Sequence, residues 1–106
     1  MIDLNDENFE KEVLNRKGLF LVDFWSHMCA LCQRMDLVLD NVAKELGGRV
    51  EFGKLNIFEG SQTAKKYEIP ATPTIIIFKD GEPIERAVGL RSEQLLINKL
   101  NSLIDK

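Results

Sequence analysis

Runs of hydrophobic residues alternate along this chain with stretches in which hydrophobic positions recur at helical spacing. The run Leu19–Trp25 is apolar except for Asp23, and residues 74–78 are apolar after their first position, as is typical of strands buried on both faces. Val50–Asn56 predicts a further strand. A single charge inside a buried strand is unusual, so Asp23 is a candidate functional residue from the outset.

Helical spacing is clearest in the stretch after Cys29. Its hydrophobic positions recur three or four residues apart, with polar residues between them, until Gly47 and Gly48 end the pattern. We therefore expect a long amphipathic helix that begins at or near Cys29. Residues 62–67 predict a short helix. The hydrophobic positions of the long helix are Met35, Val38, Leu39, Val42 and Leu46.

Capping residues indicate two more helices, one near each end of the chain. Asn5 or Asp6 is suited to cap a first helix, which ends before Gly18. Ser92 is suited to cap the last helix. The apolar stripes of these helices are Phe9, Val13 and Leu14 in the first and Leu96, Leu100 and Leu103 in the last.

The Asp80-Gly81 pair predicts a tight hairpin turn, so residues 83–88 should run antiparallel to residues 74–78. The order of elements is then strand, helix, strand, helix, strand, helix, a strand hairpin and a closing helix. That order predicts an α/β fold with a mixed sheet and helices on both of its faces. Because the sequence contains no internal repeat or linker, we expect residues 1–106 to form a single domain.

Composition, charge and the length of the apolar stretches argue against nucleic acid and membranes as partners. The 106 residues are 44% hydrophobic and 29% charged with a net charge of -3, which gives no basic footprint for nucleic acid. The longest apolar stretches fall short of the roughly 20 residues that span a bilayer, and the first residues lack the basic and then apolar order of a secretory signal. We therefore expect a cytoplasmic protein that binds neither nucleic acid nor membrane.

The chain has two cysteines, Cys29 and Cys32, which stand three positions apart. Such a pair is too close to tie distant parts of a fold together, and in a reducing compartment it indicates redox catalysis or half of a metal site. A zinc site would need two further ligands, and His27, the sole histidine, lies on the same loop. We expect no metal in a monomer; a metal or iron–sulfur centre that bridges the cysteines of two chains is the open alternative.

Disulfide exchange needs a thiolate, and the predicted helix favours one at Cys29. Unpaired N–H groups and the helix dipole stabilise an anion at a helix N-terminus, so Cys29 is the candidate attacking sulfur. Cys32, one turn further on, is suited to attack a mixed disulfide at Cys29 and release the reduced substrate. A buried Cys32 needs a proton acceptor, and Asp23 is the candidate, with a pKa raised by burial. Lys54 on the next strand could lie alongside Asp23 and partly offset that rise.

Five short motifs occur in order along nearly the whole chain, and together they resemble the thioredoxin family. The resemblance implies the thioredoxin fold, a central five-stranded mixed sheet flanked by four helices, with a cis peptide bond before Pro73 that faces the cysteines. The motifs are Val22-Asp23-Phe24-Trp25, Cys29 to Cys32, Thr72-Pro73-Thr74, Phe78-Lys79-Asp80-Gly81 and Val88-Gly89.

The resemblance also implies a function. It is exchange of the Cys29–Cys32 dithiol with disulfides of substrate proteins, in the direction of reduction, with a thioredoxin-reductase-like electron donor and no cofactor beyond the reversible disulfide. We expect such a protein to act as a monomer. By the same resemblance Asp23 and Lys54 match the buried acid of the family and its lysine neighbour. The implied substrate-binding residues are Trp25, Ala30, Leu31, Ala71, Thr72, Pro73 and Gly89.

The active-site motif departs from the usual pattern of the family, Trp-Cys-Gly-Pro-Cys-Lys. Ala30 and Leu31 replace Gly-Pro between the cysteines, and Leu31 restores a backbone N–H that proline lacks. The redox poise of the pair is therefore left open by the sequence. An alternative function is also left open, a thioredoxin-fold binding or chaperone module in which the cysteines are non-catalytic or regulatory.

Overall fold

A five-stranded sheet forms the centre of the computed structural model, which describes residues 1–105. Its strands lie in the order β1-β3-β2-β4-β5, with β1, β3 and β2 parallel and with β4 and β5 antiparallel to their neighbours. The mixed sheet and its closing hairpin are therefore confirmed. The strands are β1 Ile2–Leu4, β2 Leu19–Trp25, β3 Val50–Asn56, β4 Thr74–Lys79 and β5 Glu82–Val88.

Four helical segments lie in the described part of the chain, as the family resemblance implies, but the first is a π-helix of five residues. The long helix begins directly after Cys29 and ends before Gly47, as predicted, and Ser92 caps the last helix through a bond from the N–H of Leu95. The segments are the π-helix Glu10–Leu14, α1 Ala30–Leu46, α2 Ser61–Lys66 and α3 Glu93–Ile104.

The two capping candidates near the start of the chain have different partners. The Asn5 side chain accepts hydrogen bonds from the N–H groups of Glu7 and Asn8, in the turn before the π-helix. The Asp6 carboxylate instead accepts bonds from the N–H groups of Gln62 and Thr63, at 3.2 and 2.9 Å. Asp6 therefore caps α2, and its assignment to the first helix was wrong.

The hydrophobic core consists of two clusters, one on each face of the sheet, because successive side chains of β2 point to opposite faces. Leu19 and Leu21 pack with α1 and α3, whereas Phe20, Val22 and Phe24 pack with the π-helix on the other face. Successive side chains of a strand point to opposite faces, so Asp23 belongs to the face that α1 covers. The buried charge therefore lies on the same side of the sheet as the helix that carries Cys32.

Strand pairing also brings the end of β2 beside the start of β4. Phe24 is paired with Thr74, so the loop that leaves β2 for α1 lies next to the segment that enters β4. That segment contains a cis peptide bond between Thr72 and Pro73, as the resemblance implies. Within residues 1–105, no helix is long and apolar enough to cross a membrane.

Candidate active site

Cys29 and Cys32 form a disulfide at the first turn of α1, with their Cα atoms 5.3 Å apart. Cys29 is the N-cap residue in extended backbone, and its Sγ accepts a hydrogen bond of 3.1 Å from the N–H of Cys32. Only 3% of Cys32 is exposed, whereas Cys29 is partly exposed. The two sulfurs therefore differ in access, since a partner can approach Cys29 while Cys32 faces the interior.

The residues around the disulfide present an apolar surface. Met28 is 94% exposed, and Leu31 and Leu37 are exposed as well. Ala30 is also exposed between the cysteines. The N–H that contacts Cys29 Sγ in this oxidised state belongs to Cys32, so the donor restored by Leu31 is not the one that reaches the sulfur.

Asp23 is completely buried, and neither of its carboxylate oxygens has a hydrogen-bond partner among residues 1–105. Burial, as the larger cause, and the negative charge of Asp36 together raise the pKa of Asp23 to about 7, while the positive charge of Lys54 acts in the opposite direction. Strongly perturbed acids of this kind are concentrated at functional sites. A carboxyl group with this pKa can gain and lose a proton near neutral pH.

Lys54 lies on β3 in register with Asp23, as expected, but its ion pair is made elsewhere. Its Nζ lies 3.5 Å from Oδ2 of Asp36 and 4.7 Å from the centre of the Trp25 ring. Sequence reasoning did not single out Asp36. The signal was present, because Asp36 stands four residues after Cys32 and so lies on the same face of α1.

A small cavity of about 130 Å³ opens beside Cys32 and Asp36. The other lining residues, Trp25, Ser26, His27 and Gln33, surround it from the end of β2 to the first turn of α1. His27 is exposed and packs edge-on against Trp25, with ring centres 4.7 Å apart. Trp25 thus contacts both Lys54 and His27, and it forms one wall of the cavity next to Cys32.

Hydrogen bonds fix the segment before β4, which contains three of the residues that the resemblance assigns to substrate binding, and a fourth, Gly89, takes part in one of these bonds. The carbonyl of Pro73 accepts a bond of 2.8 Å from the N–H of Gly89, and the carbonyl of Ala71 accepts one of 2.6 Å from the Thr74 hydroxyl. The Thr72 hydroxyl lies 3.4 Å from that of Ser26, in the loop that leaves β2. Ala71, Thr72, Pro73 and Gly89 therefore meet at the same end of the sheet as Trp25.

Over residues 1–105, no group of three or more His, Cys, Asp and Glu side chains could hold a metal ion.

Known proteins match this chain over most of its length. The family model described as Thioredoxin matches residues 1–102. The chain is 42% identical over 93 residues to a thioredoxin of Buchnera aphidicola, a match that covers 88% of the chain and 86% of the relative. It is 41% identical to a thioredoxin of Chlamydia pneumoniae over 92% of the chain and 93% of the relative, and 38% identical to one of Rickettsia conorii over 93% and 94%.

Proposed function

Since this chain belongs to the thioredoxin family of disulfide oxidoreductases, we propose that it reduces disulfide bonds of substrate proteins through Cys29 and Cys32. One observation carries the proposal: a partly exposed cysteine and a buried one are joined at the first turn of α1. That arrangement gives each sulfur a different task in a two-step exchange.

In the first step the Cys29 thiolate attacks one sulfur of a substrate disulfide. A bond forms between Cys29 Sγ and that sulfur, the substrate S–S bond breaks, and the other substrate sulfur leaves as a thiolate. The unpaired N–H groups of the first turn of α1 and the helix dipole stabilise Cys29 as an anion. The bond from the N–H of Cys32 to Cys29 Sγ supports this assignment.

In the second step Cys32 resolves the mixed disulfide. Its proton passes to the Asp23 carboxylate, its thiolate attacks Cys29 Sγ, and the second substrate sulfur leaves as a thiolate. Two electrons have then moved from the dithiol to the substrate. The burial of Asp23 on the α1 face of the sheet and its pKa of about 7 support its role as the proton acceptor, and Lys54 moderates that pKa.

We propose that substrates dock along the segment before β4. The backbone at Thr72 and Pro73 is suited to pair with an extended peptide, in the manner of a strand added to a sheet edge. Ala71 and Gly89 flank this segment. The exposed Ala30 and Leu31, together with the half-buried Trp25, provide the remaining contact surface.

The same chemistry supports a proposal for the electron donor and the compartment. Each turnover leaves the Cys29–Cys32 disulfide, which a thioredoxin-reductase-like partner must reduce again before the next one. A redox pair that has to be returned to the dithiol is suited to the cytoplasm, where thiols are kept reduced. A reduction potential for the pair near or below the cytosolic glutathione poise supports this direction, and one far above it would indicate an oxidase or isomerase.

Two serine variants test the division of labour between the cysteines. We expect Cys32→Ser to accumulate a mixed disulfide with a disulfide-containing substrate such as insulin, because attack at Cys29 remains but resolution is lost. Cys29→Ser should form almost none. Mass spectrometry without reducing agent measures both products, and similar mixed-disulfide formation by the two variants would contradict the assignment.

A binding or chaperone module is the second candidate, favoured by the exposure of Met28 at 94% and Leu31 at 43%, which are next to Cys29 and Cys32 in the sequence. Such a module would bind an unfolded protein without accelerating electron transfer. Reduction of insulin by dithiothreitol separates the two functions. The proposed reductase accelerates the reaction, whereas a binding module leaves its rate unchanged.

A further inference from the structure

Asp36 is a charged residue of the site that the proposed mechanism does not use. We propose that Asp36 is a positioning residue, which holds Lys54 away from Asp23 and adds a negative charge beside it, and so sets the pH range in which Cys32 resolves a mixed disulfide. The inference rests on the proposed role of Asp23 as the proton acceptor.

The geometry around Lys54 carries the first part of this inference. Lys54 is the cross-strand neighbour of Asp23, yet its Nζ pairs with Oδ2 of Asp36 at 3.5 Å and lies over the Trp25 ring at 4.7 Å. Both oxygens of Asp23 meanwhile have no hydrogen-bond partner among residues 1–105. The ammonium group is therefore drawn toward α1, and the buried carboxyl lacks a direct cationic partner.

The charges that face Asp23 carry the second part. The carboxylate of Asp36 on α1 and the ammonium group of Lys54 on β3 act on Asp23 in opposite directions, and Cys32 and His27 line the same small cavity as Asp36. On β4 the paired neighbour is the apolar Ile75, and α3 covers this face of the sheet with Leu96, Ile97, Leu100 and Leu103. Lys54 is thus paired with Asp36, while the charge of Asp36 disfavours the ionisation of Asp23.

The charge of Asp36 affects the proposed proton transfer from Cys32 to Asp23. The step converts a Cys32 thiol and an Asp23 carboxylate into a thiolate and a carboxylic acid. After burial, the Asp36 charge is the largest contribution that strengthens proton binding at Asp23, and it acts against Lys54. Asp23 is then ionised only at higher pH, but it is a stronger base when it is ionised. Removal of the Asp36 charge should therefore move resolution to lower pH.

Asp36→Asn tests the coupling without any need for turnover. Titration of the Asp23 carboxyl by carbon-detected NMR in the disulfide form should move to lower pH by on the order of one unit, the size typical of a lost neighbouring charge. Asp40→Asn is the matched control, because it removes the same charge from an exposed position one turn further along α1. Asp36→Glu should restore the parental titration. An unchanged titration in Asp36→Asn overturns the proposal.

Lys54→Met separates the two effects of Asp36. If Asp36 also holds Lys54 away from Asp23, then Asp36→Asn should lower the Asp23 titration less in the Lys54→Met background than in the parent. Equal shifts in both backgrounds would overturn the claim that Asp36 controls the position of Lys54.

The effect on resolution is measured with Ellman's reagent in a stopped-flow instrument. Attack by Cys29 releases one equivalent of thionitrobenzoate, and resolution by Cys32 releases the second. The acid limb of the second release should move to lower pH in Asp36→Asn and stay unchanged in Asp40→Asn; a shifted Asp23 titration with an unchanged second release overturns the catalytic part. Failure of the parent to reduce insulin would count against the proposed function instead, because the titration is read in the resting disulfide.

Discussion

Asp23 is the residue through which pH acts most directly on this protein. Its carboxyl binds a proton up to about pH 7 in the folded chain but only up to about pH 4 in an unfolded one. The folded state holds more protons between these values, so the contribution of Asp23 to the free energy of unfolding falls as pH rises through that window. The loss approaches roughly 4 kcal/mol as an upper value.

We therefore expect Asp23→Asn to remove this decline in the oxidised protein. The difference in free energy of unfolding between variant and parent should move in favour of the variant between about pH 4 and pH 8. Urea unfolding at several pH values measures it, and the use of a difference cancels the other titrating groups. A difference that stays constant over this range would contradict the raised pKa.

Some residues of the site could be predicted from the sequence, and one could not. Cys29, Cys32 and Asp23 stood out through spacing and pattern. Lys54 was singled out by its place on the next strand, and Pro73 followed from the family resemblance. Asp36 was missed because a charged residue on an amphipathic helix is normally a solvated one. Only the packing of α1 on β3 shows that Asp36 faces Lys54.

At the scale of elements, the hairpin between β4 and β5 is fixed by a close contact. Gly81 has a φ of +82°, and a Cβ added there would lie 2.2 Å from the carbonyl oxygen of Leu14, at the end of the π-helix. The Asp80 carboxylate accepts a bond of 2.7 Å from the N–H of Gly18, which ties the same turn to the segment before β2. The turn therefore contacts both the end of the π-helix and the segment that follows it.

We expect Gly81→Ala to lower the free energy of unfolding by roughly 2 to 4 kcal/mol, because it combines left-handed backbone strain with displacement of the Leu14 backbone. Gly48→Ala is the matched control. Gly48 has a φ of +94° but no neighbouring atom within 4 Å of an added Cβ, so its cost should be the strain alone, about 1 kcal/mol. Equal losses in urea unfolding would show that the contact with Leu14 is relaxed at no cost.

Element boundaries were predictable where a local signal exists. Nearby residues determine where α1 begins, where it ends at Gly47 and how Ser92 caps α3. These boundaries could therefore be predicted from the sequence. The three residues of β1 are too few to show an alternation, and no residues could be assigned to that strand. The cap that Asp6 provides to α2 could not be foreseen, because its partner lies 57 residues away.

At the scale of the whole molecule, the β5 edge of the sheet affects whether two copies of the chain can associate by strand pairing. β5 forms one edge, and its exposed positions include Glu82, Pro83 and Arg86. Proline and charged side chains on an edge strand hinder pairing with a second sheet. This edge is therefore poorly suited to extend the sheet into another copy of the chain.

We accordingly expect a monomer of 12.1 kDa in solution. Light scattering coupled to size exclusion measures the mass, and small-angle scattering should give a radius of gyration close to the 12.5 Å of the Cα trace once hydration is allowed for. A mass of about twice the monomer value, in either redox state, would contradict this expectation. It would favour the alternative of a metal or iron–sulfur centre that bridges the cysteines of two chains.

The partners of the amino-terminal segment also determine when that segment can become ordered during synthesis. β1 lies at the edge of the sheet and pairs with Gly53 to Leu55, and Asp6 binds Thr63. A ribosome makes residues 53–63 after residues 2–6, and contacts between residues distant in the sequence are slow to form. Residues 2–6 therefore lack these partners until synthesis has passed residue 63, and a nascent chain in which β1 has not yet docked presents β3 with an uncovered edge to chaperones.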